Sequence, residues 1–197
     1  MVALNHLPEF TSVFIDNSST CFALAERMDF SYKTVVTNGL QVASRLANRK
    51  NIELILLGGT VRYNTNATHG GFSFSMLNSL RFDLMLSGAA SIDTDGAYER
   101  SLDTTDIKKA VFLRSKQKML VVGKSKFELK YPYRVAELAD YDAICTDSKT
   151  PTVEKLKEKG IQTELHIGQG LNHVYPAFPI PEADEAIRIM CEIIERT

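Results

Sequence analysis

Three short apolar runs, each halted by a cluster of small polar residues where a helical pattern begins, constrain this chain more than any other feature. Val13-Phe14-Ile15 runs into Asp16-Asn17-Ser18-Ser19-Thr20, Val35-Val36 into Thr37-Asn38-Gly39, and Leu56-Leu57 into Gly58-Gly59-Thr60. A strand that carries a polar loop and a helix start to the rim of a sheet exposes unbonded N–H groups. That is one way to build an anion site.

The rest of the chain repeats the alternation. Strands are expected over residues 12–15, 33–37, 52–57, 82–86, 118–122, 141–145 and, more weakly, 161–167. The run 52–57 is apolar almost throughout and is expected to be covered on both faces. Helices are expected over 20–28, 40–47, 103–115 and 152–159, the last framed by Pro151 and Gly160. Phe74, Leu77 and Leu80 lie at helical spacing too. Residues 62–69 read as a polar connection, and 91–102 as an Asp-rich loop. Such alternation predicts an open, Rossmann-like α/β domain with a largely parallel sheet flanked by helices. Ligands of these sheets bind outside the carboxyl ends of the strands, where every polar cluster above falls. Residues 1–168 form this domain in our reading. Residues 169–197 form a proline-containing strap and an amphipathic helix, which packs on the domain or on a partner.

Charge and composition narrow the function. With 23 basic and 24 acidic residues the net charge is −1, which argues against nucleic-acid binding by this chain's own surface. Cys21, Cys145 and Cys191 are an odd, widely spaced set with no CxxC pair. Residues 1–10 lack the pattern of a signal peptide, and no apolar run approaches the ~20 residues of a membrane span. A cytoplasmic protein with no membrane partner is the expectation. His6, His69, His166 and His173 have no ligand-like spacing, so no metal is expected. The chain holds no G-x-S-x-G, G-x-x-x-x-G-K-[ST] or G-x-G-x-x-G motif. Hydrolase, nucleotide triphosphatase and dinucleotide enzyme lose ground, and no cofactor is expected.

Each polar cluster has two readings. Asp16 to Thr20 is accounted for by helix capping alone, whereas three clusters at successive strand ends put a binding site on an equal footing. Asn38 is able to donate and accept toward a sugar hydroxyl. Gly58 and Gly59 make either a tight turn or a close backbone approach to an oxyanion. Lys124 and Lys126 follow the fifth strand, either solvated or facing a phosphate. Arg62 is a candidate for bidentate phosphate contact. Asp93, Asp95, Glu99 and Asp103 could serve proton transfer, but a solvated loop with Asp103 as helix cap is the preferred reading.

The order of these motifs resembles the effector-sensing domain of the DeoR family of bacterial transcriptional repressors. The matching text is Ile15-Asp16-Asn17-Ser18-Ser19-Thr20, Val35-Val36-Thr37-Asn38, Leu56 to Arg62, Ser87-Gly88-Ala89, Lys108-Lys109-Ala110, Ser125-Lys126-Phe127 and Ile144-Cys145-Thr146-Asp147. The resemblance implies a fold similar to ribose-5-phosphate isomerase and glucosamine-6-phosphate deaminase. It implies a bound sugar phosphate, or a related phosphorylated metabolite, that weakens DNA binding by an N-terminal winged helix-turn-helix. The family is expected to be homo-oligomeric. By position, Ser18, Ser19 and Thr20 would hold the phosphate with the helix N-terminus. Thr37, Asn38, Gly58 and Gly59 would line the pocket, and Lys126 would face it. Asp16, Asn17, Gly39, Thr60, Arg62, Gly88, Ala89 and Lys124 complete the expected ligand-binding set. The family usually has Gly where this chain has Ser18 and Asp where it has Gly123, which points to a more anionic ligand or a different one. About ten residues precede the first strand, too few for a DNA-binding domain, so DNA contact is expected only through a domain missing from this chain. Isomerases of this fold carry Gly-Ala-Asp-Glu where this chain reads Gly88-Ala89-Ala90-Ser91. With acid and base missing there, a sensor without catalytic residues is expected. A sugar-phosphate isomerase or deaminase is the alternative.

Overall fold

Period-two alternation in the apolar runs decides which face of the sheet each side chain covers. In the computed structural model, which describes residues 10–127, 129–146 and 163–165, the chain first lays down Ser12–Ile15 (β1). Ser19–Arg27 (α1), Thr34–Thr37 (β2), Leu40–Leu46 (α2) and Glu53–Leu56 (β3) follow. Thr60–Arg62 (β4) and Ala67–His69 (β5) form an antiparallel ribbon, and Gly71–Leu77 (α3) and Phe82–Ser87 (β6) come next. Ser91–Ile92 (β7) and Ala97–Glu99 (β8) precede Leu102–Phe112 (α4) and Ser115–Val122 (β9). Tyr133–Ala136 (β10), Ala143–Thr146 (β11) and Thr163–Leu165 (β12) complete the set.

Seven strands form one parallel sheet in the order β12-β11-β9-β6-β1-β2-β3. This α/β arrangement has the strand order of a doubly wound nucleotide-binding fold, with its reversal between β1 and β6. Val13, Ile15, Leu84, Leu86, Met119 and Val121 face α1 and α2, where they meet Leu24, Val42 and Leu46. Phe14, Val36 and Met85 face α3 and α4, against Leu77, Ile107 and Val111. A third cluster puts Leu120, Val122 and Ile144 against Ile92, Ala97 and Leu138, seating the small antiparallel sheet β10-β8-β7 on the large one. No helix among the described residues is long and apolar enough to cross a membrane.

Four expectations change. The run 52–57 is not covered on both faces: β3 is an edge strand with Leu56 38% exposed, because an apolar run carries no information about how many neighbours a strand has. The polar connection 62–69 contains the β4–β5 ribbon, and the Asp-rich loop contains β7 and β8. The cap of α4 is Ser101, whose Oγ accepts from Thr104 N–H, rather than Asp103. The expected helix 152–159 and the segment 169–197 lie outside the described residues.

Gly59 shows how the ribbon is held. Its φ is +143°, and a Cβ there would come within 2.4 Å of the His69 carbonyl oxygen. Gly59→Ala is expected to cost about 2 kcal/mol of unfolding free energy, from left-handed strain and the clash. Urea denaturation measures it, and an unchanged midpoint would contradict this packing.

Candidate functional site

Because the strand order reverses between β1 and β6, the crevice of this sheet opens where those two strands end. β1 ends in Asp16 and the Ser18 turn, and β6 ends in Ser87-Gly88. Asp16 joins them. Its Oδ1 accepts the Ser18 N–H at 2.9 Å, and its Oδ2 accepts the Gly88 N–H at 2.8 Å and the Ser87 hydroxyl at 3.3 Å. The same Oδ2 lies 2.7 Å from Lys108 Nζ. Lys108 also donates to Glu99 Oε1 and to the Gly88 carbonyl, each at 2.6 Å.

This group is closed to water: Asp16 is 1% exposed, Lys108 3% and Glu99 8%. Burial by itself pushes the Asp16 carboxyl up, but the Lys108 ammonium and the Ser18 hydrogen bonds outweigh it and hold the pKa at about 2. Burial likewise disfavours the charged lysine, and the two carboxylates overcome it, keeping Lys108 protonated far above its ordinary range. Beneath the loop, burial and the Asp16 charge push the Cys21 thiol up, away from reactivity.

Above this buried chain lies a cleft of about 500 Å³. One side is the start of α1, with Asn17, Ser18, Ser19 and Thr20. Ser18 Oγ caps the helix by accepting from Cys21 N–H at 3.2 Å. The N–H groups of Ser19 and Thr20, at the first turn, have no partner within the helix and remain able to bind an anion. Gly88 and Ala89 form the floor, and there is no room for a side chain at Gly88: a Cβ would stand 2.6 Å from Ser18 Oγ. Arg100, Ser101, Thr104 and Lys126 also line the cleft, as do Asn64 and Thr65 of the β4–β5 turn. Burial and neighbouring Arg100 push the Lys126 ammonium below its ordinary value. Among the described residues no cluster is suited to a metal.

Of the residues singled out in the sequence, Asn17, Ser18, Ser19, Thr20, Gly88, Ala89 and Lys126 therefore share one cleft. The others stand behind or beside it. Asp16 lies beneath, fully engaged. Thr37 Oγ1 accepts from Gly39 N–H at 3.0 Å, and Gly39 packs so tightly that a Cβ would meet Asn17 Cα at 2.9 Å. Asn38 Nδ2 donates to the Thr68 carbonyl at 3.3 Å. Gly58 N–H donates to Met76 Sδ, and Ser73 Oγ donates to the Gly58 carbonyl. Thr60 pairs with His69 in the ribbon, and exposed Arg62 reaches Asp103 at 2.7 Å. Lys124 is exposed outside the cleft. The second and third polar clusters thus brace the first: Asn17 Nδ2 donates to the Thr65 carbonyl at 3.0 Å, tying α1 to the ribbon.

Lys108 and Glu99 were not among the residues picked as site components from the sequence, though a signal for the lysine exists. Thr104, Ile107, Lys108 and Val111 follow i, i+3, i+4, i+7, which places a lysine on the core stripe of α4. Glu99, expected in a solvated loop, is instead buried on strand β8. Asp93 does lie in a turn, accepting from Asp95 N–H and Gly96 N–H. A larger hollow of about 620 Å³ opens at the opposite end of the sheet around Asp83. There the carboxylate is already satisfied by Thr11, Ser12 and Lys116, and the strands present their amino ends, so we place the site at the carboxyl end.

The sequence matches the family described as DeoR C terminal sensor domain over residues 1–148. The chain belongs to that family. This sensor domain is 30% identical over 163 residues to the glycerol-3-phosphate regulon repressor of Escherichia coli K12, covering 81% of this chain and 65% of the repressor. It is 30% identical over 148 residues to the L-fucose operon activator of the same organism, covering 75% of this chain and 61% of the activator. Against the putative aga operon transcriptional repressor of Escherichia coli O157:H7, identity is 24% over 157 residues, covering 78% and 58%. The chain thus spans slightly less than two thirds of the length of these curated relatives.

In this DeoR sensor domain, Lys108→Met would leave two buried carboxylates without their cation, at an expected cost of about 3–5 kcal/mol near neutral pH. The sign of the pH dependence reverses. Wild-type Asp16, depressed from 3.8 to about 2, contributes stability present above the unfolded value and lost as pH falls toward the folded one. In the variant Asp16 keeps the burial that raises it and loses the cation that lowered it, so acidification favours the folded state. The stability gap is expected to narrow as pH falls from about 6 to about 3. Urea titrations across that range test this, and a constant gap would contradict it.

Proposed function

We propose that this domain is the ligand-sensing part of a transcriptional regulator. It binds a phosphorylated sugar or related metabolite in the cleft between β1 and β6, and the bound state controls DNA binding by a winged helix-turn-helix in the whole protein. The observation that carries this reading is the convergence, in one cleft, of the first turn of α1 with Arg100 and Lys126. Donor N–H groups and cations together suit a phosphate. The names of the relatives, which include a glycerol-3-phosphate repressor and an operon activator for a sugar, support the same class.

Turnover is not favoured. Ala90 and Ser91 stand where isomerases of this fold carry carboxylates. Glu99 lines the cleft but is engaged by Lys108, and Asp95 lies outside it. The site binds and releases, and it acts on DNA through its differential affinity for two conformations or assemblies of the protein. A cytoplasmic homo-oligomer is the setting we assign to it.

A panel of phosphorylated sugars, each beside its unphosphorylated parent, tests this by thermal shift. One phosphorylated compound is expected to stabilise the domain by about 2.7 kcal/mol at a hundredfold excess over Kd, and its parent to have no effect. A flat response across the panel would contradict the reading. Gly88→Ala, which pushes on the Ser18 cap, is expected to weaken that compound's binding at least about tenfold, or about 1.4 kcal/mol. Calorimetry measures this, and unchanged affinity would remove Gly88 from the site.

A further inference from the structure

The buried charge group beneath the cleft has one oxygen left without a partner. Lys108 has no N–H to offer a ligand, since Asp16 Oδ2, Glu99 Oε1 and the Gly88 carbonyl surround its ammonium at 2.6–2.7 Å. Both oxygens of Asp16 are occupied as well, Oδ1 by the Ser18 N–H and Oδ2 by Gly88, Ser87 and Lys108. Glu99 differs. Its Oε1 accepts from Lys108 at 2.6 Å, whereas Oε2 accepts from no group among the described residues. Nor is Oε2 one of the oxygens shut in the interior without a partner, which belong to Asn38 and Ser91. The Glu99 side chain is 11% exposed and lines the cleft, so its open oxygen faces the space that a ligand would fill.

An ionised carboxylate can only accept hydrogen bonds, and the group that meets it has to be a donor. A bond of this kind is charge-assisted, hence stronger than one between neutral partners. Here the acceptor is also held in place, because the Lys108 bond fixes the carboxylate and β8 fixes its backbone. A ligand hydroxyl fits that oxygen, and a ligand carboxylate is repelled by it. An ammonium would satisfy Oε2 too, but it would share the cleft with Arg100 and Lys126. The neutral hydroxyl is the donor that suits all three.

We propose that Glu99 Oε2 selects the ligand by accepting from a hydroxyl of the metabolite whose phosphate is bound in the same cleft. The proposal rests on the reading of the cleft as a site for phosphorylated ligands. It narrows that class to phosphates of sugars and polyols, against phosphorylated acids. Arg100 and Lys126 serve the phosphate, and Glu99 is a specificity-determining residue for the rest of the molecule.

Calorimetry on the full chain tests this with inorganic phosphate and two matched pairs of esters. Glycerol 3-phosphate is set beside 3-phosphoglycerate, and glucitol 6-phosphate beside 6-phosphogluconate, so that each pair exchanges a hydroxyl-bearing carbon for a carboxylate. The hydroxyl member is expected to bind at least about tenfold more tightly than the acid in one pair or both. Glu99→Gln replaces one carboxylate oxygen by an amide nitrogen. Because the Lys108 ammonium only donates, the amide keeps its oxygen toward Lys108 and turns its NH2 to the cleft. This variant is expected to bring the preference below about threefold. A preference of undiminished size in Glu99→Gln would overturn the assignment to Glu99. Equal binding of both members by the wild type, or tighter binding of the acids, would overturn the proposal and leave the sensor reading standing. Binding of inorganic phosphate without binding of any ester would do the same. No binding by inorganic phosphate or by any ester would remove both readings.

Discussion

A lysine ammonium held between two carboxylates, out of contact with water, is the interaction on which the cleft depends. Lys108 comes from α4, Asp16 from the end of β1 and Glu99 from β8, and the Gly88 carbonyl at the end of β6 takes a third proton of the ammonium. Separated, each charge would cost several kcal/mol to bury; together, with hydrogen bonds to Ser18, Ser87 and Gly88, they are compensated. Since Asp16 also fixes the Ser18 N–H, the turn proposed to receive the phosphate is held in position by the protein's own contacts. A preformed turn lowers the ordering cost of binding.

Sheet topology explains why that turn, and not its two counterparts, faces the cleft. Only β1 ends beside the reversal in strand order, so only its loop and that of β6 open onto a crevice. The loops after β2 and β3 end beside one another on the far side. There Gly39 presses on Asn17, and Gly59 lets the ribbon turn back so that Thr65 meets Asn17 and lines the cleft. They shape the cleft indirectly, as a brace. The carboxylates near it are engaged by Lys108, which suits a site that recognises charge more than one that moves protons.

The alternation of apolar runs with polar clusters made the parallel sheet and its seven strands legible in the sequence, and it singled out Ser18 to Thr20, which the structure brings into the cleft. Three things were not. An apolar run such as Leu54-Ile55-Leu56 does not disclose that it forms an edge, because lateral neighbours are set by topology. The ribbon at 60–69 is short and polar, so its pairing rests on contacts with Asn38 and Leu57 that local pattern does not encode. The pairing of Lys108 with Asp16 joins residues distant in sequence, and Glu99 reaches the same ammonium from a strand that local pattern reads as a loop. Only the lysine's place on the apolar stripe of α4 betrayed it. Three similar strand ends suggested three similar roles, and chemistry alone could not tell the one at the crevice from the two that support it.

Titration of inorganic phosphate into 15N-labelled protein, followed by amide chemical shifts, separates these roles most directly. The shifts are expected to centre on Ser19 and Thr20, with smaller changes at Gly88, Ala89 and Lys126 and little movement at Thr37 to Gly39 or Gly58 to Arg62. Shifts centred on Asn38, Gly58 and Gly59, with the start of α1 unmoved, would contradict the assignment of the cleft between β1 and β6 as the anion site.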